Sequence, residues 1–421
     1  MIIAMGTLNI LHNIGTLHTF SGGPKRKEAL SDTGEISDAA LVWDESGRII
    51  EHGVSEDFLK KYRYADATWL DAGGRIVTPG LIDSHTHSVN AGSRANEFVM
   101  RCAGVDYMKI LENGGGILNS ADRTRESSIG HLMETGRLAL DRSLGFGVTT
   151  LEAKSGYGLN TEAELKMLRA IQALDMSHEI DLKATFLGAH AIPREFKDNP
   201  ESYVDLIVGD MLPKIADENL ADYCDVFIEK GVYSVEQGRR ILEAGIKRGL
   251  KPKVHVDEIE SLGGIEMCVG LGALSVDHLI AITDSDIEKL AASNTVGCLL
   301  PGTSFFLKKS YAPCRRMIDA GCILALATDN NPGSSRTENI QWILTVACLH
   351  YGLKPQEAFG MVTINAAAAL GLQSEIGSIE KGKRADFVIW QTDNLEEIPY
   401  HHGISHVGEV YIKGKRVFES L

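Results

Sequence analysis

Histidine and aspartate residues recur at separate points of the chain in a pattern that suits one metal ion. His85 and His87 stand two residues apart, and His255 and Asp329 each lie at the end of a short apolar run. Side chains two apart on a strand point to the same side, so both imidazoles of the pair can reach one ion. Three neutral imidazoles and one carboxylate suit Zn(II) or Fe(II), whereas Mg and Ca prefer all-oxygen shells. The sequence therefore predicts one divalent metal ion, zinc or iron.

These residues can meet only if the chain brings distant strand ends together. From residue 76 to about 372, short apolar runs alternate with longer amphipathic stretches such as 162–174 and 235–248. This alternation is typical of strand-helix units around a parallel sheet. Eight runs predict the strands: 76–83, 147–151, 182–187, 225–228, 252–256, 274–276, 295–300 and 323–327. Eight strands fit an α/β fold, the closed (β/α)8 TIM barrel, whose active-site face lies at the carboxyl ends of the strands.

The two ends of the chain show a different pattern. Residues 1 to about 78 contain short strands, with a hairpin predicted around the turn 44–47, and the C-terminal segment has a similar hairpin around 413–415. We expect these two segments to join into one small β-sandwich. The predicted domains are a β-sandwich made of residues 1–78 and 373–421, and a barrel made of residues 79–372.

Composition excludes several classes of protein. A chain of 421 residues with a formal net charge of -15 offers neither nucleic acid nor an anionic membrane the basic surface that each needs. An anionic substrate would also need a local cationic anchor. The seven cysteines are scattered and form no C-x-x-C pair, which favours reduced thiols. No stretch approaches the roughly 18 apolar residues of a membrane span and no cleavable leader is evident, so we expect a cytoplasmic protein.

Three motifs resemble the amidohydrolase superfamily of metal-dependent hydrolases, and the likeness extends over nearly the whole chain. The segment Pro-Gly-Leu-Ile-Asp-Ser-His-Thr-His at 79–87 resembles the family's first strand, Thr328-Asp329 its last strand, and 377–386 its return to the β-sandwich. Segments 152–159, 186–193, 255–258 and 329–334 are similar to the members that hydrolyse a cyclic amide carrying a carboxylate. The resemblance therefore implies opening of such a ring in a small-molecule substrate.

The resemblance also implies a role for individual residues. The implied ligands of one metal ion are His85, His87, His255 and Asp329. The implied proton-handling residues are Glu258 as the shuttle, Asp329 as a second acceptor and His278 as the group that orients water or stabilises the oxyanion. The implied substrate-binding residues are Arg94 on the carboxylate, His190 on the ring carbonyl, Tyr157, and the loop residues Asn331, Gly333 and Ser334. Family members with two metals bridge them through a modified lysine on the fourth strand, but we expect Lys230, just beyond that run, to be an ordinary lysine.

Two alternatives remain open at this stage. A deaminase of cytosine or guanine type would share the metal ligands and Glu258, but it would release ammonia and has little use for Arg94. A non-catalytic scaffold on the same fold would contain no stoichiometric ion. The resemblance further implies a homodimer. The run Gly114-Gly115-Gly116 lacks the lysine of a P-loop, and we expect it to be a mobile segment over the active site.

Overall fold

The structure is a computed structural model that describes residues 8–105, 109 and 115–420. Its strands are, in chain order, β1 Leu8–His18, β2 Glu35–Trp43, β3 Ile49–Val54, β4 Ala67–Asp71, β5 Val77–Pro79, β6 Leu81–Thr86, β7 Val148–Lys154, β8 Asp181–Ala189, β9 Tyr223–Ile228, β10 Lys251–Val256, β11 Ser275–His278, β12 Val296–Leu299, β13 Ile323–Leu326, β14 Phe387–Trp390, β15 Val407–Ile412 and β16 Lys415–Glu419.

Strands β6 to β13 form the predicted barrel. Each is hydrogen-bonded in parallel to the next along the chain. The barrel closes just beyond β13, where the N–H of His87 donates to the carbonyl of Asn330 over 2.9 Å. At the same seam the hydroxyl of Thr328 donates to Asp83 over 2.6 Å. The (β/α)8 prediction is confirmed, and the carboxyl ends of all eight strands meet at one mouth.

Most of the helices lie around the barrel and connect its strands, whereas the first, which follows β3, packs on the small sheet. The helices are α1 Ser55–Lys61, α2 Ala95–Cys102, α3 Ile117–Glu126, α4 Ile129–Gly145, α5 Thr161–Asp175, α6 Pro200–Leu206, α7 Leu212–Asp217, α8 Val235–Ile246, α9 Ile265–Gly270, α10 Asp284–Ala291, α11 Pro301–Leu307, α12 Cys314–Ala320, α13 Ile340–Tyr351, α14 Pro355–Met361, α15 Ile364–Ala369 and α16 Glu397–Tyr400. The predicted amphipathic stretches become α5 and α8. Asn160 caps the start of α5, and Ser234 with Gln237 forms a capping box at the start of α8.

The chain ends join as predicted, in one eight-stranded sheet with the order β16-β15-β14-β5-β1-β2-β3, and β4 pairs with β1. The sheet bends over its own core. This curvature is evident from the ring of Trp43 on β2, which lies at centroid distances of 5.3 Å from Phe387 on β14 and 6.0 Å from Tyr411 on β15. Both predicted hairpins are present, as β2-β3 and β15-β16. The exact domain boundaries at 78/79 and 372/373 stay a prediction.

One predicted strand, the apolar run 76–83, was wrong as a single element. The structure divides it into β5, which pairs with β14 in the small sheet, and β6, which begins the barrel. The division falls at Gly80, where a Cβ would lie 2.2 Å from the hydroxyl of Thr149. Only glycine fits where the chain passes from one sheet to the other.

All seven cysteines are free thiols. None of the helices in the described part of the chain combines the length and the apolarity that crossing a membrane requires.

Candidate metal centre and substrate cavity

Four predicted ligands converge at the mouth of the barrel. His85 and His87 lie at the end of β6, His255 lies near the end of β10, and Asp329 lies just beyond β13. Ring nitrogens of the three histidines lie within 4.8 Å of one another. The Nε2 atoms of His85 and His87 are each 3.6 Å from Oδ1 of Asp329. The structure therefore brings together the four side chains that sequence spacing singled out.

The unpaired atoms of this cluster fit a cation. The Nε2 atoms of His85 and His255 are buried and have no hydrogen-bond partner among the described residues, although buried polar atoms are nearly always paired. Burial lowers the pKa of His85 and of His87 well below the ordinary histidine value. These two imidazoles are therefore neutral and present lone pairs, which is the form that binds a metal. The cluster is a site for a divalent metal ion.

A second set of carboxylates and hydroxyls orients the ligands. His85 Nδ1 lies 2.7 Å from Oδ2 of Asp277, and His255 Nδ1 lies 3.0 Å from Oδ2 of Asp225. Such contacts hold the ring so that Nε2 faces the candidate metal position. Burial lowers the pKa of His255, but the Asp225 carboxylate outweighs it, so that the pKa lies above its ordinary value.

Asp329 is held in a similar way. The hydroxyl of Thr303 donates to its Oδ2 over 2.5 Å, which leaves Oδ1 towards His85 and His87. Burial raises the pKa of Asp329. The residue has a φ of 51°, a left-handed conformation that aspartate tolerates better than most residues. The chain therefore changes direction at Asp329, while the carboxylate remains beside His85 and His87.

Glu258 and His278 lie beside the ligands. Oε2 of Glu258 is 3.7 Å from Nε2 of His278, and both side chains line the cavity that holds His87, His255 and Asp329. Glu258 follows β10 and His278 ends β11 with a φ of 79°. Two groups able to accept or donate a proton therefore stand next to the candidate metal position.

The cavity above the ligands has a volume of about 600 Å³, which is ample for a small molecule. Arg94 lines it and is held from behind by Glu97, whose two carboxylate oxygens accept from Nε and Nη2 over 2.9 and 2.8 Å. Glu97 also accepts from the N–H of Gly116 over 2.9 Å. The cavity thus combines a candidate metal position with a pre-oriented guanidinium.

His190 and Tyr157 form another part of the cavity wall. The His190 ring stacks on His87 at 4.9 Å, and its Nδ1 lies 3.1 Å from the carbonyl oxygen of Gly156. Burial lowers the pKa of His190 to about 3, so the ring is neutral and its one proton sits on Nδ1. Nε2 is then an acceptor. This nitrogen favours a ring N–H over the expected ring carbonyl as its partner, and the contact of His190 with the substrate stays a prediction.

The loop after β13 is folded around Asn331. Its Oδ1 accepts from the N–H groups of Gly333 and Ser334, each over 2.8 Å, and its Nδ2 donates to the carbonyl of Asp329 over 2.7 Å. The Asn331 side chain therefore stabilises the conformation of the loop. Asn331, Gly333 and Ser334 all line the cavity. Gly333 lies against Arg94, where a Cβ would be 2.0 Å from Nη1.

Several residues around the site carried no predicted role. They are Glu97, Glu152, Lys154, Asp225, Lys253, Asp277 and Thr303. One available signal was the spacing of Glu152 and Lys154, two charged residues on one face of an otherwise uncharged strand. Lys230 is 70% exposed and pairs with Glu260 over 2.8 Å, as expected of an ordinary lysine. Gly114 lies outside the described residues, so the expectation for that glycine run is not tested.

Comparison with known proteins agrees with this geometry. The amidohydrolase family model matches residues 76–417, which is most of the chain and includes all four candidate ligands. The chain belongs to the amidohydrolase family.

Similarity to individual proteins is more specific. Imidazolonepropionase of Alkaliphilus metalliredigens is 46% identical over 414 residues, which cover 97% of this chain and 98% of the relative. Imidazolonepropionase of Geobacillus kaustophilus is 47% identical over 404 residues, with 96% and 95% covered. Within the amidohydrolases, the chain therefore belongs with the imidazolonepropionases.

Among solved structures, E. coli guanine deaminase aligns with a TM-score of 0.75 at 16% identity and covers 99% of this chain and 100% of its own. An adenosine deaminase from Xanthomonas campestris with bound zinc aligns with a TM-score of 0.66 at 16% identity, with 98% and 92% covered. At this identity, these likenesses show the fold alone.

Proposed function

We propose that this protein hydrolyses the cyclic amide C–N bond of 4-imidazolone-5-propanoate to give N-formimidoyl-L-glutamate, a step of histidine degradation. One observation supports it above all, namely that a candidate metal centre and a guanidinium face the same cavity. The metal centre would promote hydrolysis of the amide bond, and Arg94 would bind the propanoate carboxylate. The identity of 46% to imidazolonepropionase over nearly the full length agrees with this assignment.

We propose His85, His87, His255 and Asp329 as the ligands, and zinc or iron as the ion, because both metals accept an imidazole-rich shell. When bound, the ion lowers the pKa of a coordinated water towards about 7 and polarises the carbonyl of the ring. A homodimer and a cytoplasmic location remain predictions.

The proton transfers are assigned to side chains beside that position. Glu258 takes the proton released as water attacks the ring carbonyl carbon, and it delivers this proton to the ring nitrogen as the C–N bond breaks. Asp329 shares the same proton through its Oδ1 atom. His278, 3.7 Å from Glu258, orients the attacking water and stabilises the negative charge that develops on the carbonyl oxygen. One water is consumed, and no other product leaves.

The remaining residues hold the substrate in place. Arg94 pairs with the propanoate while Glu97 keeps its guanidinium oriented. His190 accepts the ring N–H at Nε2, since Nδ1 is committed to Gly156. Tyr157 bounds the ring, and the 331–334 loop, in which Gly333 and Ser334 face the cavity, closes the carboxylate end.

The experiment is turnover of 4-imidazolone-5-propanoate by purified protein, before chelation, after chelation, and after Zn(II) or Fe(II) is added back. We expect loss of imidazolone absorbance without ammonia, no activity after chelation, and recovery with metal. Aminopyrimidines and guanine form the comparison panel. Ammonia release from that panel would favour the deaminase alternative, and absence of stoichiometric metal would favour the scaffold. Either result contradicts the proposed function.

A further inference from the structure

Lys154 is the last residue of β7, and its side chain is completely buried inside the barrel. Its ammonium lies 2.7 Å from Oε1 of Glu152 and 2.8 Å from Oδ2 of Asp225. It also lies 3.6 Å from Oδ2 of Asp277. Three carboxylates from three strands therefore surround one cation.

A buried ammonium is unusual because removing it from water is costly unless it is well paired. An apolar side chain of similar size would fill the same space without this cost. With no exposed surface, Lys154 cannot contact a substrate in the cavity. Its position needs a reason other than substrate binding or packing.

The partners of Lys154 point to that reason. Asp277 is the carboxylate behind His85, and Asp225 is the carboxylate behind His255. Both use the same Oδ2 atom for the histidine and for the ammonium. Ligand atoms of Asp225, His255 and Asp277 lie within 4.8 Å of one another, so without a cation between them the two carboxylates would repel.

We propose that Lys154 is a positioning residue of the metal centre. Its ammonium fixes Asp225 and Asp277 relative to each other, and these two carboxylates fix the imidazoles of His255 and His85. Strands β6 and β10 thereby present their ligands at a set separation before any metal arrives. This inference rests on the proposed metal centre and adds a determinant of its affinity.

Lys253 provides a matched control in the same barrel. It is also completely buried, and its ammonium lies 3.2 Å from Oε2 of Glu152, 3.1 Å from the carbonyl of Ala369 and 3.5 Å from the carbonyl of Ser84. Replacing Lys253 removes a buried charge of the same kind, but from a position that does not join the two carboxylates behind the ligands.

The experiment compares Zn(II) affinity of metal-free wild type, Lys154→Met and Lys253→Met by competition with a chelator of known affinity. We expect Lys154→Met to bind Zn(II) roughly 10- to 100-fold more weakly, the usual effect of removing an outer contact of a metal site. Lys253→Met should stay close to wild type. Equal or tighter binding by Lys154→Met would overturn the proposal, and so would an equal loss in both variants.

Lys154→Met leaves buried carboxylates uncompensated, so folding is checked by circular dichroism and thermal unfolding of the metal-free proteins. If this variant does not fold, the charge-balanced pair Lys154→Met with Glu152→Gln takes its place, with Lys253→Met and Glu152→Gln as its control. The same difference in Zn(II) affinity is expected, and its absence overturns the proposal. Failure of wild type to bind Zn(II) would instead refute the metal centre, and with it the proposed function.

Discussion

Replacing Gly333 with alanine should weaken binding of the substrate carboxylate without removing any charge. A Cβ at this position would lie 2.0 Å from Nη1 of Arg94, whereas unstrained heavy-atom contacts are about 3.5 Å apart, so the guanidinium has to move by roughly 1.5 Å. The two hydrogen bonds to Glu97 prevent Arg94 from simply turning aside. The methyl group therefore displaces the proposed anchor from the cavity.

The size of the effect follows from the bond that is lost. A hydrogen bond to a charged group contributes about 1.5–3 kcal/mol, so KM should rise by about 10- to 150-fold. The value of kcat should change much less, because Arg94 binds a part of the substrate that does not react. Steady-state kinetics with 4-imidazolone-5-propanoate measures both quantities.

Two comparisons make this prediction decisive. Gly270→Ala is the matched control, since a Cβ there meets no atom within 4 Å, and it should behave as wild type. The propanamide analogue of the substrate has no negative charge, so wild type and Gly333→Ala should handle it alike. An unchanged KM in Gly333→Ala, or an equal loss with the uncharged analogue, would refute the anchor role of Arg94.

Two other perturbations test the mechanism and the fold. Glu258→Gln should leave Zn(II) binding intact and lower kcat by about 10²- to 10⁴-fold, and near-normal turnover would remove Glu258 from the mechanism. Asp181→Asn should lower the free energy of unfolding by about 2 kcal/mol at neutral pH. Burial raises the pKa of Asp181, but Arg384, 2.7 Å away, lowers it more, to a net value below the ordinary one. Its stabilisation is therefore complete above the unfolded pKa of about 3.9 and is lost as pH falls through the folded pKa. Urea unfolding of both proteins from neutral pH down to pH of about 2 measures this, and a difference that does not shrink as the pH falls below about 4 would contradict it.

The barrel could be predicted because its strands are local patterns that end in polar residues. The division of run 76–83 was not predicted, although the run contains Pro79-Gly80, a dipeptide that marks breaks between elements. What divides it is the pairing of β5 with β14, some 300 residues further along the chain, and the lack of space for a Cβ at Gly80. Both are properties of the assembled fold.

The candidate ligands could likewise be predicted, because H-x-H and single polar strand ends are visible in one dimension. The residues that orient these ligands from the side away from the cavity could not be predicted from the sequence. Thr303 precedes Asp329 by 26 positions, and Asp225 is paired with Lys154 across 71 positions. Glu97 was the easiest of these residues to predict, because it lies three residues after Arg94 and this spacing brings side chains together on a helix.

Charge balance among the buried groups bears on the identity of the ion. Around the ligands lie five carboxylates and two ammonium groups, namely Asp83, Glu152, Asp225, Asp277, Asp329, Lys154 and Lys253, each at most 2% exposed. Carboxylates thus outnumber ammonium groups in this set, and a buried excess of negative charge is costly in a medium of low dielectric constant. A divalent cation at the proposed ligands His85, His87, His255 and Asp329 would offset more of that excess than a monovalent one, so the charge of the barrel interior, like the ligand type, favours a divalent metal.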